Sequence, residues 1–408
     1  MDSIKLLQLN TVVNSGSTGR ITEDIGQVMM SHGHESYIAY GRGDRPSQSN
    51  LIKIGSQLDV VLHGVKTALF DRHGFGSRRA TEQLVEAIEH LQPDVIGMHN
   101  IHGYYLNIEV LFDYFSQVDT PVVWTLHDCW SFTGHCAFYS SIACERWRSL
   151  CHDCPKKSKY PRTYFLDNSR QNYQDKKAIF NGARNLHLVT PSQWLADEVG
   201  ESYLSNLPIT VIHNGVDTTA FAPQQELSSE LAKGLQGRKV VLGVANIWDE
   251  RKGLSQFIQL AERLPADYQI VLVGLTSQQV EQLPDTIIGL TRTESLKELA
   301  DLYTLASVYC NPTFEDNFPN TNIEALACGT PVVAYHTGGC PEAVDAATGL
   351  IVAKGDIDGL AEAVIKIISQ GRAAFEAPCR QRALDQFEKK DRYHDYLHLY
   401  ERLLSIKA

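Results

Sequence analysis

Basic residues are in deficit. The 408-residue chain sets 37 Lys and Arg against 48 Asp and Glu, for a net charge of -11. With no cationic surplus to spread over phosphates, the composition argues against nucleic acid as a partner. Long apolar runs are missing too. No stretch approaches the ~20 residues that a bilayer-crossing helix needs. The opening MDSIKLLQLNTVV carries an acid at its second position and reads as a first strand, not a leader. A dinucleotide or Walker fingerprint is also lacking, because the Gly-rich segment 14–20 has neither spacing. These absences suggest a soluble, cytoplasmic protein. In that compartment the nine cysteines, five of them between Cys129 and Cys154, point to metal binding or packing before disulfides.

What is present fits an ordinary globular chain of two or three domains, 43% hydrophobic and 21% charged. Strand-like and helix-like segments alternate throughout. Residues 4–13, 34–40, 95–98, 121–126, 188–190 and 209–212 read as strands of a first series, and 240–245, 270–273, 332–335 and 349–352 as strands of a second. Such alternation predicts α/β architecture with doubly wound parallel sheets. Between the two series, the polar stretch 224–238 reads as a linker.

The most informative stretch is 311–331, NPTFEDNFPNTNIEALACGTP. Asn311-Pro312 ends an apolar run, a loop with Glu315 and Asp316 follows, and a helix pattern starts at Thr321. Strand, loop, helix and strand place that helix N-terminus at the carboxyl end of a parallel sheet, where ligands bind. Its backbone N–H groups favour a phosphate, and a carboxylate in the same loop accepts from sugar hydroxyls. The structural alternative is a solvated acidic loop before an ordinary helix.

Two strands of the first series deliver histidines: His99 and His102 after 95–98, and His127-Asp128 after 121–126. Cys136, Cys144, Cys151 and Cys154 then fall within one insertion. The C-x₂-C spacing of Cys151 and Cys154 suits a structural zinc knuckle closed by the other two, with His135 and His152 as spare donors. Buried free thiols or disulfides are the alternative. The basic run Lys156-Lys157-Ser158-Lys159 and Arg162 reads either as a solvated face or as a surface for anionic lipid or a pyrophosphate-linked acceptor.

The acids Asp316 and Glu324, eight apart with Phe318 between them, resemble the donor-site signature of retaining GT-B glycosyltransferases of family 4 (group 1). The family more often has Glu at the first position, so either Asp316 or its neighbour Glu315 faces the sugar. The resemblance extends over nearly the whole chain. It takes in the Gly-rich first loop with Gly16 and Gly19, the His127-Asp128 strand end, the Asn214-Gly215-Val216-Asp217 turn, Lys252-Gly253 and the final helix pattern of 380–404. It departs at Asn246, where the family carries an Arg; Arg251 is the nearby substitute.

The resemblance implies the GT-B fold: two Rossmann-like domains facing a deep interdomain cleft, with the C-terminal helix crossing back to the first. The expected limits are 1–222 for the acceptor-side domain (Cys-rich insertion about 129–165), 223–385 for the donor domain and 386–408 for the returning helix. Lys252 would bind the diphosphate, Glu324 the ribose, and Asp316 or Glu315 the sugar hydroxyls. His127 would orient the donor. Asn317, Phe318, Pro319, Asn320 and Thr321 would complete the donor loop with Gly16, Gly19, Asn246 and Arg251. His99, His102 and Tyr104 would lie near the acceptor.

The implied activity is transfer from a UDP- or GDP-sugar, with retention of configuration, to a glycan or lipid-pyrophosphate-linked acceptor. Capsule, O-antigen or exopolysaccharide assembly at the inner membrane face is the implied setting, with peripheral membrane contact. No cofactor is implied for catalysis, and zinc would be structural. Two rivals share these features: a nucleotide-sugar epimerase on the same fold, and a non-catalytic, zinc-stapled carbohydrate-binding protein.

Overall fold

The computed structural model describes residues 3–43 and 45–407. The chain divides into two compact units, Met1–Ile212 with Tyr393–Ala408, and His213–Arg392. Each is built on one all-parallel sheet.

In the first unit the strands are β1 (Lys5–Asn10), β2 (Glu35–Tyr40), β3 (Asn50–Lys53), β4 (Val95–Met98), β5 (Val122–Thr125), β6 (Leu186–Thr190) and β7 (Ile209–Val211). Their spatial order is β3-β2-β1-β4-β5-β6-β7. The order reverses between β1 and β4, which is the switch point where the connecting loops part and leave a crevice. Both faces of this sheet are covered. Along β1, Leu7 and Leu9 enter one core cluster while Leu6 enters the other, as a strand with period two requires.

The second face is closed by the last helix, Lys389–Lys407. Tyr393, Tyr396, Leu397, Leu399 and Tyr400 pack there against Leu6, Ile25, Val95 and Val123. The Thr125 hydroxyl also donates to Tyr396 Oη at 3.2 Å. Burying Leu397 and Leu399 contributes about 1.5–3 kcal/mol each. The end of the chain is therefore part of the first unit's core.

The second unit has β8 (Lys239–Val244), β9 (Tyr268–Val273), β10 (Ile287–Leu290), β11 (Val308–Asn311), β12 (Val332–Tyr335) and β13 (Gly349–Val352), ordered β10-β9-β8-β11-β12-β13. Here the switch point lies between β8 and β11. The loops that leave these two strands therefore emerge side by side. No helix among the described residues is long and apolar enough to cross a membrane.

Candidate active site

The loops after β8 and β11 meet through one glycine and two charges. Asp249 caps the short turn Glu250–Lys252 by accepting the Lys252 N–H at 3.1 Å. Gly253 follows at φ +77°, and a Cβ there would stand 2.3 Å from the Pro312 carbonyl oxygen. Only glycine lets the two backbones approach this closely. The contact is then tied by backbone and side chain. Phe314 N–H donates to the Arg251 carbonyl at 2.7 Å, and Arg251 Nη1 donates to the Glu315 carbonyl at 3.0 Å.

With the loops held in this way, Lys252 Nζ sits 2.5 Å from Asp316 Oδ2, both groups partly open to solvent. Glu315 points inward and is buried. Asn246, by contrast, is exposed at the start of the β8 loop.

The helix after the acid loop runs from Asn320 to Ala327, one residue earlier than the sequence pattern places it. Pro319 precedes it and gives its first-turn amides no side-chain cap. The N–H groups of a first helical turn carry a partial positive charge suited to an anion. The loop is also fixed from behind. Asn214 Nδ2 donates to Asn320 Oδ1 at 2.9 Å, the His213 ring lies 4.9 Å from Phe318, and Gly339 N–H donates to the Asn317 carbonyl at 2.7 Å. Glu324 accepts from the buried Tyr303 hydroxyl at 3.0 Å.

In the first unit the histidines form chains. His99 is buried between Gln8 Oε1 and His127 Nε2, each at 3.2 Å. The Gln8 amide donates to the Thr22 carbonyl at 2.8 Å, so its oxygen is left to accept from His99 Nε2–H. His99 Nδ1 must then accept from His127 Nε2–H. Burial pushes His127 down to about 4 and His99 well below the ordinary imidazole value. Both rings are accordingly neutral at pH 7, with defined tautomers.

A second chain runs through His102. Its Nε2 meets Asp128 Oδ2 at 2.8 Å and its Nδ1 meets Tyr160 Oη at 2.9 Å. The Asp128 carboxylate accepts from Nε2–H, and the other ring nitrogen pairs with the phenol. Burial alone would raise the Asp128 carboxyl, but the His102 ring and the Trp130 N–H bring it below the usual value. Tyr104 stands beside this chain at φ +70°, its ring 6.1 Å from that of Tyr160. A non-glycine residue held in that region marks stored backbone strain.

Gly16 opens the helix Gly16–Ser31 at φ +63°, and Gly19 lies within it. The latter's Cβ position is 3.2 Å from Asn14 N, so the helix start packs onto its own loop.

Comparison with known proteins gives this geometry a family. Residues 18–220 match the profile of Glycosyltransferase Family 4, and residues 238–370 that of Glycosyl transferases group 1. The chain belongs to this glycosyltransferase family.

A candidate colanic acid biosynthesis glycosyl transferase, WcaC of Escherichia coli (strain K12), is 25% identical over 98% of this chain and 100% of its own. Two solved structures share the glycosyltransferase's fold. Sucrose-phosphate synthase from Thermosynechococcus elongatus aligns with a TM-score of 0.73 at 17% identity, covering 99% of this chain and 100% of that one. Anabaena HepE, solved in complex with UDP-glucose, aligns with a TM-score of 0.68 at 16% identity, covering 98% and 100%. The fold is thus GT-B, and the protein is an enzyme of glycosyl transfer.

Two residues near the glycosyltransferase's first-unit histidines are not singled out by sequence. Tyr160 lies in the Cys-rich insertion, 58 positions from His102. His73 is buried with its ring 5.4 Å from Tyr160 and 5.5 Å from Trp130. Asp128 carried a local signal, since it follows His127; His73 and Tyr160 carried none.

The four thiols of the insertion, Cys136, Cys144, Cys151 and Cys154, line one pocket and are free. Cys154 hydrogen-bonds Cys136, and Gly134 N–H donates to Cys151 Sγ at 3.2 Å. Among the described residues, no three His, Cys, Asp or Glu side chains are already set to hold a metal ion.

Proposed function

We propose that this glycosyltransferase moves a sugar from a UDP- or GDP-sugar to a hydroxyl of a glycan or lipid-pyrophosphate-linked acceptor, with retention, in surface polysaccharide assembly. The observation that carries the reading is Lys252 held against Asp316 beside an uncapped helix start. A diphosphate competes with Asp316 for the ammonium, while the first-turn amides face its remaining charge. Asp316 is then available to the sugar hydroxyls, with Glu315 behind it, and Glu324 to the ribose. HepE's complex with UDP-glucose and WcaC's placement in colanic acid biosynthesis support a nucleotide-sugar donor and a polysaccharide product.

In the step itself, the bond between the anomeric carbon and the diphosphate oxygen breaks, and its electron pair stays on the phosphate. The acceptor oxygen bonds to the same face of that carbon, and its proton passes to the departing phosphate. Lys252 meets charge that grows as the bond breaks, so it stabilises the transition state more than the ground state. His127, neutral and fixed in tautomer, orients the donor sugar without adding charge.

Thermal stabilisation by a panel of UDP- and GDP-sugars tests donor binding, because a ligand of the folded state raises Tm. A shift with the wild type that Lys252→Met abolishes is expected; no shift with any nucleotide-sugar refutes the reading. Product analysis then separates transfer to a glycan from epimerisation of the donor, and from carbohydrate binding without turnover.

We also infer that the insertion holds a structural zinc ion on its four thiols. Two buried neighbours favour anionic sulfur there. Lys176 is buried with its amine on the carbonyls of Trp130 and Thr133; burial lowers it to about 7, and thiolates on Cys151 and Cys136 would favour its charged form. His135 is gripped at Nδ1 by buried Asp71 at 2.5 Å, and its Nε2 has no hydrogen-bond partner beside the same pocket. Elemental analysis of the purified full chain is expected to find one zinc per molecule, lost in Cys151→Ser.

A further inference from the structure

One helix of the first unit is inside out. Gln57–Phe70 turns Val60, His63 and Thr67 toward the core, and His63 accepts the Gly74 and Gly76 N–H groups there at 3.1 and 3.3 Å. Its outer face carries Leu58, Val61, Leu62, Val65 and Leu69, all exposed, with Leu58 at 65%. The spacing follows the helix repeat, so these side chains form one continuous stripe. Isolated exposed leucines are ordinary, but a stripe of five on one helix is not.

A second apolar segment adjoins the stripe. Tyr164, Phe165 and Leu166 are exposed, with Phe165 at 71%. They are fastened alongside the helix end. Tyr164 N–H donates to the Ala68 carbonyl at 2.9 Å, and Asn168 Nδ2 donates to the Phe70 carbonyl at 2.7 Å. Immediately before this segment come Lys157, Lys159 and Arg162, all exposed. In a chain of net charge -11, these cations give the apolar patch a positive margin.

We propose that this face docks the enzyme on an anionic lipid bilayer. Apolar side chains standing out of a helix, flanked by Lys and Arg, match the interfacial region: the chains enter the acyl boundary while the cations meet the headgroups. Charge complementarity selects this occupant over a second copy of the chain, since two copies of one basic-rimmed patch would set like charges together. The surface also leads to the acceptor side of the protein. Tyr160, which bonds His102, lies four positions before Tyr164. Docking would therefore bring His102, Asp128 and Tyr160 close to the headgroup layer, where the saccharide of a lipid-linked acceptor stands. Bilayer docking itself does not require the proposed donor or acceptor.

Vesicle flotation of the full chain tests it, with phosphatidylcholine vesicles containing phosphatidylglycerol and with phosphatidylcholine alone. Binding to the anionic vesicles is expected, with roughly tenfold weaker partition at high salt and in Lys157→Glu/Lys159→Glu. Leu62→Glu/Phe165→Glu is expected to abolish binding. That variant should keep the wild-type Tm shift with a nucleotide-sugar, which separates loss of docking from loss of folding or of donor binding. Two results overturn the proposal: no partition of the wild type into anionic vesicles, or a dimer in light scattering that Leu62→Glu converts to monomer.

Discussion

The proposed donor loop of the second unit and the histidine chains of the first solve different electrostatic problems. Around Lys252 the groups are charged, partly solvated and joined across two adjacent loops, with side-chain exposures of 23% and 15% for the pair. Around His99, which is buried, and His127, which is half-buried, they are neutral, with each proton assigned by the next acceptor along the chain. A site that receives a diphosphate has to offset growing charge, and solvent-tolerant ions do so without a large desolvation cost. A site that only orients hydroxyls gains more from fixed neutral dipoles, since a buried unpaired charge would cost several kcal/mol.

The largest effect is expected at the charged end. Lys252→Met removes the cation and leaves Asp316 facing the phosphates. A loss of kcat/KM on the order of 10²–10³, about 3–4 kcal/mol, is expected from removing one transition-state contact of this type. Lys252→Arg should recover part of it. Steady-state kinetics with saturating acceptor checks both. If Lys252→Met raised only the donor KM, the ammonium would bind donor and transition state equally, and the contrast between the two ends would weaken.

The same contrast governs how much was legible in sequence. The donor loop is local: Asn311-Pro312, two acids and a helix start follow one another, so pattern and turn chemistry expose them. Only the pairing with Lys252, 64 positions away, needed the fold, and strand order β8-β11 delivers it. The parallel sheets were readable because strands buried on both faces are continuous apolar runs. The proposed acceptor side is the opposite case. His102, Asp128, Tyr160 and His73 come from four separate segments and meet through tertiary packing alone. The outward-facing helix was missed for another reason. Periodicity marks an apolar face but does not say whether that face points inward.

The next effect is on pH dependence, and it falls mainly on the neutral side. Burial drives His63, His127 and His187 each down to about 4, against about 6.5 in an unfolded chain. Between those values the unfolded state binds more protons than the folded one, so stability rises with pH across the window. It is present above about pH 6.5 and is lost as pH falls toward 4. Melting temperatures at pH 7, 6 and 5 are expected to decline progressively. His187→Gln, which keeps a polar contact near Thr210, is expected to shallow the slope. Activity limited by a neutral His127 is expected to stay level from pH 8 to 6. A loss of kcat/KM centred near 6.5 and absent in His127→Gln would mean that the ring titrates like a solvated one.

The smallest effect concerns Tyr160. Its hydroxyl pairs with His102 Nδ1 at 2.9 Å and more loosely with His73 Nε2 at 3.5 Å, so Tyr160→Phe deletes one close hydrogen bond and one weak one and leaves the aromatic packing against His73 and Tyr104. A single neutral hydrogen bond contributes about 0.5–1.5 kcal/mol, which corresponds to a change of roughly 2- to 12-fold. That change is expected in the acceptor KM, with the donor KM and the Tm shift by nucleotide-sugar unaltered. His102→Asn should cost more than Tyr160→Phe, because it also removes one of the two partners of the half-buried Asp128 carboxylate and leaves it the Trp130 N–H alone. The two substitutions should be non-additive, since the phenol acts through the ring. If Tyr160→Phe instead raised the donor KM, the insertion would belong to the donor end, and the division of labour between charged loop and neutral rings would have to be redrawn.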